Sequence, residues 1–417
     1  MNIRSFILWL ILMLVVFGPA HAASTPRRQY IFLNRSATSG NWFQNNPDSI
    51  TDALFDNPIA AIGTTPTGNR RLGLSFMLYY LHYPPDKLEC TLRRLLALSQ
   101  KHDIPVLIAL DGQTWWGNRP DLWNWWDPSL PGYDPANRSN VEWTGWEPQD
   151  AVKLGWRNWG RQIRVLPEPN LASPKFREAS RTQLMRLLGI IKQWRDHLPA
   201  DKRYLYPGIK VGSEASVGIN AYYYPNGNSY LEQFPNDPTH DPKTGLDMSK
   251  DFAGGAAPLG YAALTSLGWK HTGPITVEDQ GRIVENYLSF LAHVCRRAGL
   301  GRQEIFTHAG GQFQPAARYY YSHSVAMNKD SIPGYSFYWD VDPRHAGDLG
   351  ALLDASRQDD WCAAEWLPAA HTSEQWATAY DATLSFHQCR FISVYNWEGI
   401  QNSAAAIAGL RLALTHN

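Results

Sequence analysis

Eight short runs rich in β-branched and aromatic residues recur along the chain, and longer stretches of helical periodicity separate most of them. The runs are Gln29–Asn34 (QYIFLN), Leu72–Leu81 (LGLSFMLYYL), Pro105–Asp111 (PVLIALD), Gly208–Glu214 (GIKVGSE), Glu304–His308 (EIFTH), Gly334–Asp340 (GYSFYWD), Trp361–Trp366 (WCAAEW) and Arg390–Trp397 (RFISVYNW). Such alternation is the pattern of a parallel sheet whose strands are joined by crossover helices. PDKLECTLRRLLALSQKH and KFREASRTQLMRLLGIIKQWRDHL carry leucines near a period of 3.6. TVEDQGRIVENYLSFLAHVCRRAGL opens on a capping candidate, Thr276, and closes on arginines and glycine. HAGDLGALLDASR, SEQWATAYDATLSFH and SAAAIAGLRLALTH fill later gaps, while the connection around 316–328 gives the weakest helical pattern.

Eight strand–helix pairs predict an α/β fold, a (β/α)8 TIM barrel. The alternative is an open doubly wound sheet, but no GxGxxG follows the first run and the last run is followed by a last helical pattern, as barrel closure requires. Two long insertions, about 112–174 and 219–274, follow the third and fourth runs. Both come after strand ends, which places them on the catalytic face of a barrel.

The first residues read as a secretory signal peptide. Arg4 supplies a positive charge, Phe6–Phe17 is an apolar run of twelve residues, and Ala20-His21-Ala22 is a small-x-small cleavage site. Twelve residues fall short of the roughly 20 that span a bilayer. The expectation is a signal peptide over 1–22, one catalytic domain over 23–417, a secreted or periplasmic location, and no membrane span in the mature chain. Basic and acidic residues balance at 38 each, so no nucleic-acid partner is expected. The four cysteines, Cys90, Cys295, Cys362 and Cys389, are too scattered for a disulfide scaffold or a metal site; a Cys362–Cys389 bridge and two free thiols both remain open. No cofactor is expected. The sequence is silent on oligomeric state.

Tryptophan is the compositional outlier. Nine of the 18 lie between Trp115 and Trp159. Flat aromatic faces suit a ligand with apolar C–H faces and a polar rim, as sugars have; the alternative is an insertion packing on itself.

At the catalytic end of a barrel the strand termini carry the chemistry. Those termini are Asn34, Asp111, Glu214, His308, then Tyr338, Trp339 and Asp340, then Glu365, and finally Asn396, Trp397 and Glu398. Two glutamates in an enclosed mouth push their pKa values apart, making one an acid and leaving the other a nucleophile.

This placement resembles the retaining glycoside hydrolases of clan A, with a loosely β-galactosidase-like flavour in the NAYYYPNGN loop. The resemblance implies a glutamic acid/base ending strand four, here Glu214, and a nucleophilic glutamate ending strand seven, here Glu365. It implies an aromatic floor at Trp397 and a tyrosine on the nucleophile at Tyr338. Clan members usually carry Asn before the acid/base; this chain has Ser213, so Ser213 or Asn220 would take the sugar 2-hydroxyl, with Tyr222 in the same loop. Retention requires carboxyl groups about 5–5.5 Å apart, inversion about 6.5–9.5 Å.

Each position also has a structural reading. Glu398 is the alternative nucleophile. Asp111 and Asp340 are sugar-hydroxyl ligands or turn caps. His308 is a substrate contact or a satisfied barrel histidine. Trp115 and Trp116 are sugar platforms or packing on the insertion, Asn34 is a hydroxyl contact or a turn residue, and Trp339 and Asn396 are expected to contact substrate. Asn34 and Asn137 both begin NRS triplets of the glycosylation type. The expected activity is hydrolysis of β-glycosidic bonds in an oligo- or polysaccharide by double displacement. Two alternatives stand beside it, a metal-dependent barrel hydrolase and a non-catalytic carbohydrate-binding barrel; no HExxH or strand-one HxH supports the first.

Overall fold

The computed structural model describes residues 28–35, 46–63, 69–158, 162–218, 221–223, 227–233, 257–310, 321–356 and 360–415. The signal-peptide expectation and Asn220 lie outside these residues. Eight parallel strands close into a barrel: β1 (Gln29–Arg35), β2 (Arg70–Tyr79), β3 (Val106–Asp111), β4 (Ile209–Ala215), β5 (Ile305–Ala309), β6 (Ile332–Trp339), β7 (Asp360–Pro368) and β8 (Gln388–Val394), with β8 pairing back onto β1. All eight predicted runs became strands, and the (β/α)8 expectation is met. Helices α1 (Ala53–Ile62), α2 (Pro85–His102), α3 (Pro174–His197), α4 (Val277–Arg297), α5 (Leu349–Ser356), α6 (Ser373–Leu384) and α7 (Ala404–Thr415) connect them. After β5 the described connection holds only a 3-10 turn, His323–Ala326, which agrees with the weak pattern there.

Period-two alternation sorts each strand's side chains between two cores. Tyr30, Phe32, Leu107, Phe306, Ile332, Cys362, Ala364 and Phe391 fill the barrel interior. Phe391 meets Phe306 and Phe32 edge-on, with ring centroids 4.8 and 5.4 Å apart. Ile31, Leu33, Leu74, Phe76 and Leu78 face the helices instead. Gly334 is obligatory in the inner layer. A Cβ there would stand 2.5 Å from the backbone oxygen of Thr307 and 2.7 Å from Cys362 Sγ. Neither the strand backbone nor the buried sulfur has room to move, so Gly334→Ala is expected to lower unfolding stability by about 1–3 kcal/mol in a denaturant titration.

Two irregularities break the alternation, and both lie under the barrel mouth. Along β7, Cys362 pairs with Gly334 and Ala363 with Tyr335, but Glu365 pairs with Ser336, so one extra residue sits on this strand. Strict alternation after the inward Cys362 and Ala364 would turn Glu365 out toward the helices. The bulge turns it in, and Trp366 goes out, where its ring stacks on Tyr380 at 4.6 Å and its indole N–H donates to Thr383 Oγ1. Along β4, Val211 pairs with Thr307 and Ala215 with Ala309, so four steps on one strand cover two on its neighbour. Glu214 lies in this bulge at φ 47°, a left-handed conformation costing a non-glycine residue about 1–2 kcal/mol.

The helix α1 had no counterpart in the periodicity because Pro58 interrupts it. Pro58 has no N–H for the carbonyl of Leu54 one turn back. Arg35 Nη1 donates to that carbonyl instead. The insertions build a small antiparallel sheet from Gly155–Asn158, Gln162–Val165 and Ala221–Tyr222, also unforeseen because its strands are so short. Glu142 ties the insertions together. Its buried Oε2 accepts from the backbone N–H groups of Gly260 and Ala262, at the start of a short helix, Tyr261–Leu267.

The tryptophan-rich insertion packs largely on itself. Trp116, Trp123, Trp143 and Trp156 are buried, and Trp125 is covered by Arg138 and Lys153. Asn137 is wholly buried and donates to the carbonyls of Asn124 and Gly132, so its NRS triplet offers no glycosylation acceptor. All four cysteines are free thiols, which settles the open pairing of Cys362 and Cys389. Among the described residues, no helix is long and apolar enough to cross a membrane.

Candidate active site

Above the aromatic layer of the barrel interior stands a buried polar layer: Lys210 from β4, His308 from β5 and Ser336 from β6. The two glutamates rest on it. Ser336 Oγ donates to Glu214 Oε1 at 2.7 Å and contacts His308 Nε2 at 2.8 Å. Lys210 Nζ lies 3.3 Å from His308 Nδ1, 3.2 Å from the carbonyl oxygen of Ala364 and 3.8 Å from Glu365 Oε1. Tyr338 donates its phenol to Glu365 Oε2 at 2.5 Å.

The environments of the two acids differ in kind. Glu365 accepts from a phenol, and an ammonium group lies on its other oxygen. Burial, reinforced by the charge of Glu365, pushes the carboxyl of Glu214 up to about 8. Burial also pushes Tyr338 well above the usual phenol range, with Glu365 and Glu214 adding to it, so its hydroxyl remains a donor. Desolvation, with the nearby Lys210, drives His308 well below the usual imidazole range, and the ring is neutral. A raised carboxyl alone does not mark a site. Glu142 is likewise pushed up to about 8 by burial and Glu168, yet its Oε2 is occupied by backbone donors.

The insertion after β3 adds a second buried layer to the mouth. Arg157 pairs with Glu168 at 2.7 Å, and Gln113 Nε2 donates both to Glu168 Oε1 and to the carbonyl of Ser216. The Arg157 charge reaches both Glu214 and Asp111. Close packing also shapes the backbone here: a Cβ on Gly310 would stand 2.6 Å from the carbonyl oxygen of Glu214.

The structure gathers some of the expected residues at the mouth and sends others elsewhere. Glu214, Glu365, His308 and Tyr338 converge. Asn34 is buried at the inward end of β1, and Ser213 is half-buried in the β4 bulge. Tyr222 belongs to the short sheet, paired with Trp156. Trp115 is half-buried against Tyr79 and His82. Trp339 stands on the rim, 70% exposed with φ 70°, and the exposed Asp340 is held by His345.

At five positions the structure shows packing, capping or ion pairing. Trp116 is 1% exposed and packs edge-on against Phe176, so it offers no sugar face. Asp111 caps its own turn through the N–H groups of Gln113 and Thr114 and is buried. Strand β8 stops at Val394 rather than Trp397, because Asn396 caps a helical turn, Trp397–Ile400, by accepting from Gly399 N–H at 2.8 Å. That turn commits Asn396 to capping and buries Trp397, 3% exposed, in the outer core. It also sends Glu398 to Arg35 at 2.8 Å, away from the polar layer. Tyr395, 38% exposed, takes the place expected of Trp397, its ring 6.2 Å from Tyr338.

Sequence reading missed Lys210, Ser336, Tyr395 and Arg157. Alternation could have found two of them: Ser336 shares a face with Tyr338 in GYSFYWD, and Lys210 lies in the same run as Glu214. Among the described residues, no group of three or more His, Cys, Asp or Glu side chains is arranged to hold a metal ion.

No family model matches the chain, and no curated protein matches it. Among solved structures, the chain is similar to the catalytic domain of a β-amylase from Paenibacillus polymyxa, at a TM-score of 0.46 and 8% identity, over 93% of this chain and 99% of that one. It is also similar to an exo-β-1,4-mannosidase, Op5Man5, from Opitutaceae bacterium strain TAV5, at 0.42 and 11%, over 93% of this chain and 58% of that one. Scores and identities this low do not bear on the reading of the site, which rests on side-chain geometry.

Proposed function

We propose that the chain is a retaining glycoside hydrolase of the clan A kind, acting on β-glycosidic bonds of an oligo- or polysaccharide outside the cytoplasm. One observation carries the reading: two glutamates at the mouth ends of β4 and β7 rest on one buried polar layer, and burial together with the charge of Glu365 pushes the carboxyl of Glu214 up. Glu365, held by Tyr338 and Lys210, attacks the anomeric carbon as a carboxylate. The glycosidic C–O bond breaks as Glu214 passes its proton to the leaving oxygen. Glu214, now ionised, takes a proton from water, and the hydroxide formed displaces Glu365 from the glycosyl ester. Half-exposed Tyr395 and rim Trp339 offer apolar faces to sugar rings.

The pH dependence follows from the acid. A carboxyl raised to about 8 stays protonated through neutrality and loses its proton as pH climbs past that value. The alkaline limb of kcat/KM is therefore expected near pH 8, and Glu214→Gln should remove that limb. On a panel of 4-nitrophenyl β-glycosides and oligosaccharides, Glu214→Gln should lower kcat/KM by about 10²–10⁴-fold on substrates with poor leaving groups, the usual contribution of general acid catalysis. A wild-type protein that binds glycans but turns over no member of the panel would overturn the hydrolase in favour of a carbohydrate-binding barrel.

A further inference from the structure

The hydrogen bonds of the polar layer beneath the glutamates run in one direction. The backbone N–H of Glu214 points at His308 Nδ1, 3.2 Å away. A backbone N–H can only donate, so Nδ1 is the bare nitrogen of the ring. Lys210 Nζ approaches the same nitrogen at 3.3 Å, and an ammonium too can only donate. The single ring proton is then on Nε2 and is donated to Ser336 Oγ, at 2.8 Å. Ser336 therefore receives at its oxygen and spends its own proton on Glu214 Oε1, at 2.7 Å.

We propose that His308 and Ser336 are positioning residues that decide which oxygen of Glu214 carries the acid proton. The one-way chain from Lys210 through His308 and Ser336 ends as a donor on Oε1 and so leaves the transferable proton to Oε2. The inference rests on Glu214 being the acid/base of the proposed hydrolysis. A donor fixed on Oε1 stops the proton from moving to the inner oxygen, where it would be turned away from the leaving group. The left-handed backbone at Glu214 belongs to the same device, since it points the N–H of Glu214 at the imidazole that its own carboxyl depends on. Among the described residues, the charged and titratable groups facing Glu214 are Lys210 on its own strand, His308 from β5, Tyr338 from β6, Glu365 from β7 and Arg157 from the insertion.

The chain can be tested without a substrate. In protein labelled with ¹³C-glutamate, the Glu214 carboxyl carbon is identified by its disappearance in Glu214→Gln and titrated against pH. Ser336 is a donor that favours the charged form, so Ser336→Ala is expected to move the midpoint up by about one unit. On the sugar that the wild type accepts, Ser336→Ala should lose at least about tenfold more kcat/KM on the methyl glycoside than on the 4-nitrophenyl glycoside, because only the poor leaving group needs a well-placed proton. A midpoint unchanged or lowered, or equal losses on both substrates, overturns the proposal. Should Ser336→Ala fail to fold, Ser336→Cys, with a weak donor in the same place, gives the same comparison. The two readings fail separately: if the protein is no glycosidase the titration still reports the chain, and if the chain is wrong the loss of turnover in Glu214→Gln still stands.

Discussion

Glu365→Gly is expected to lower kcat on a 4-nitrophenyl β-glycoside by at least about 10⁴-fold, the scale on which loss of a nucleophile is felt elsewhere. Sodium azide should restore turnover. Azide fits the space that the carboxylate leaves, forms a C–N bond to the anomeric carbon from the same side, and releases 4-nitrophenol. The product is then the α-glycosyl azide. Proton NMR of that product decides between roles as well as between mechanisms. A β-azide would mean that Glu365 serves as the acid and Glu214 as the nucleophile. Full activity without azide would remove Glu365 from the chemistry altogether. The corresponding Glu398→Gly variant is expected to stay near wild-type kcat, because Glu398 is held by Arg35 at the end of β1.

The largest effect on stability is expected at Arg157 and Glu168. Both are almost wholly buried and 2.7 Å apart. Removing one partner strands the other charge in a low dielectric, so Glu168→Ala should cost about 3–5 kcal/mol in urea unfolding. The cost is of desolvation rather than of a lost attraction, and this has a test. Replacing the pair together, as Arg157→Met with Glu168→Leu, should recover most of the loss, since a well-packed apolar pair carries no unpaired charge. Activity should not return with stability, because the Arg157 charge also lies on Glu214. A single variant as stable as the parent would show that water reaches the pair.

The barrel was legible because parallel strands are buried on both faces and read as continuous apolar runs, most of them followed by a helical pattern such as PDKLECTLRRLLALSQKH. Both glutamates were legible as strand-terminal acids. What escaped notice depended on features with no signature in composition. A bulge is one additional residue of ordinary type, and Ala364 looks like any other alanine. The end of β8 was placed three residues too far, because RFISVYNW stays apolar past Val394 while the capping carboxamide of Asn396 already starts a helical turn. That small error exchanged Tyr395 for Trp397 at the mouth. The tryptophan count misled in another way. Indoles suit a sugar, but they also fill the interior of an insertion that has no barrel core of its own, and Trp116, Trp143 and Trp156 do so here. Lys210 was overlooked because a lysine in a buried strand runs against its usual place on the surface.

The additional residue in β7 divides that strand into two segments of opposite phase. Below it, side chains are counted by the needs of packing; above it, the count starts afresh, and Glu365 takes its facing from the insertion rather than from the hydrophobic pattern. The scaffold and the reactive rim can therefore drift independently, with apolar exchanges below leaving the carboxylate's heading intact. Regular pairing of Ala364 opposite Ser336 would have the reverse outcome: Glu365 would fall opposite Phe337, its carboxylate turned into the helical shell with every functional side chain still encoded.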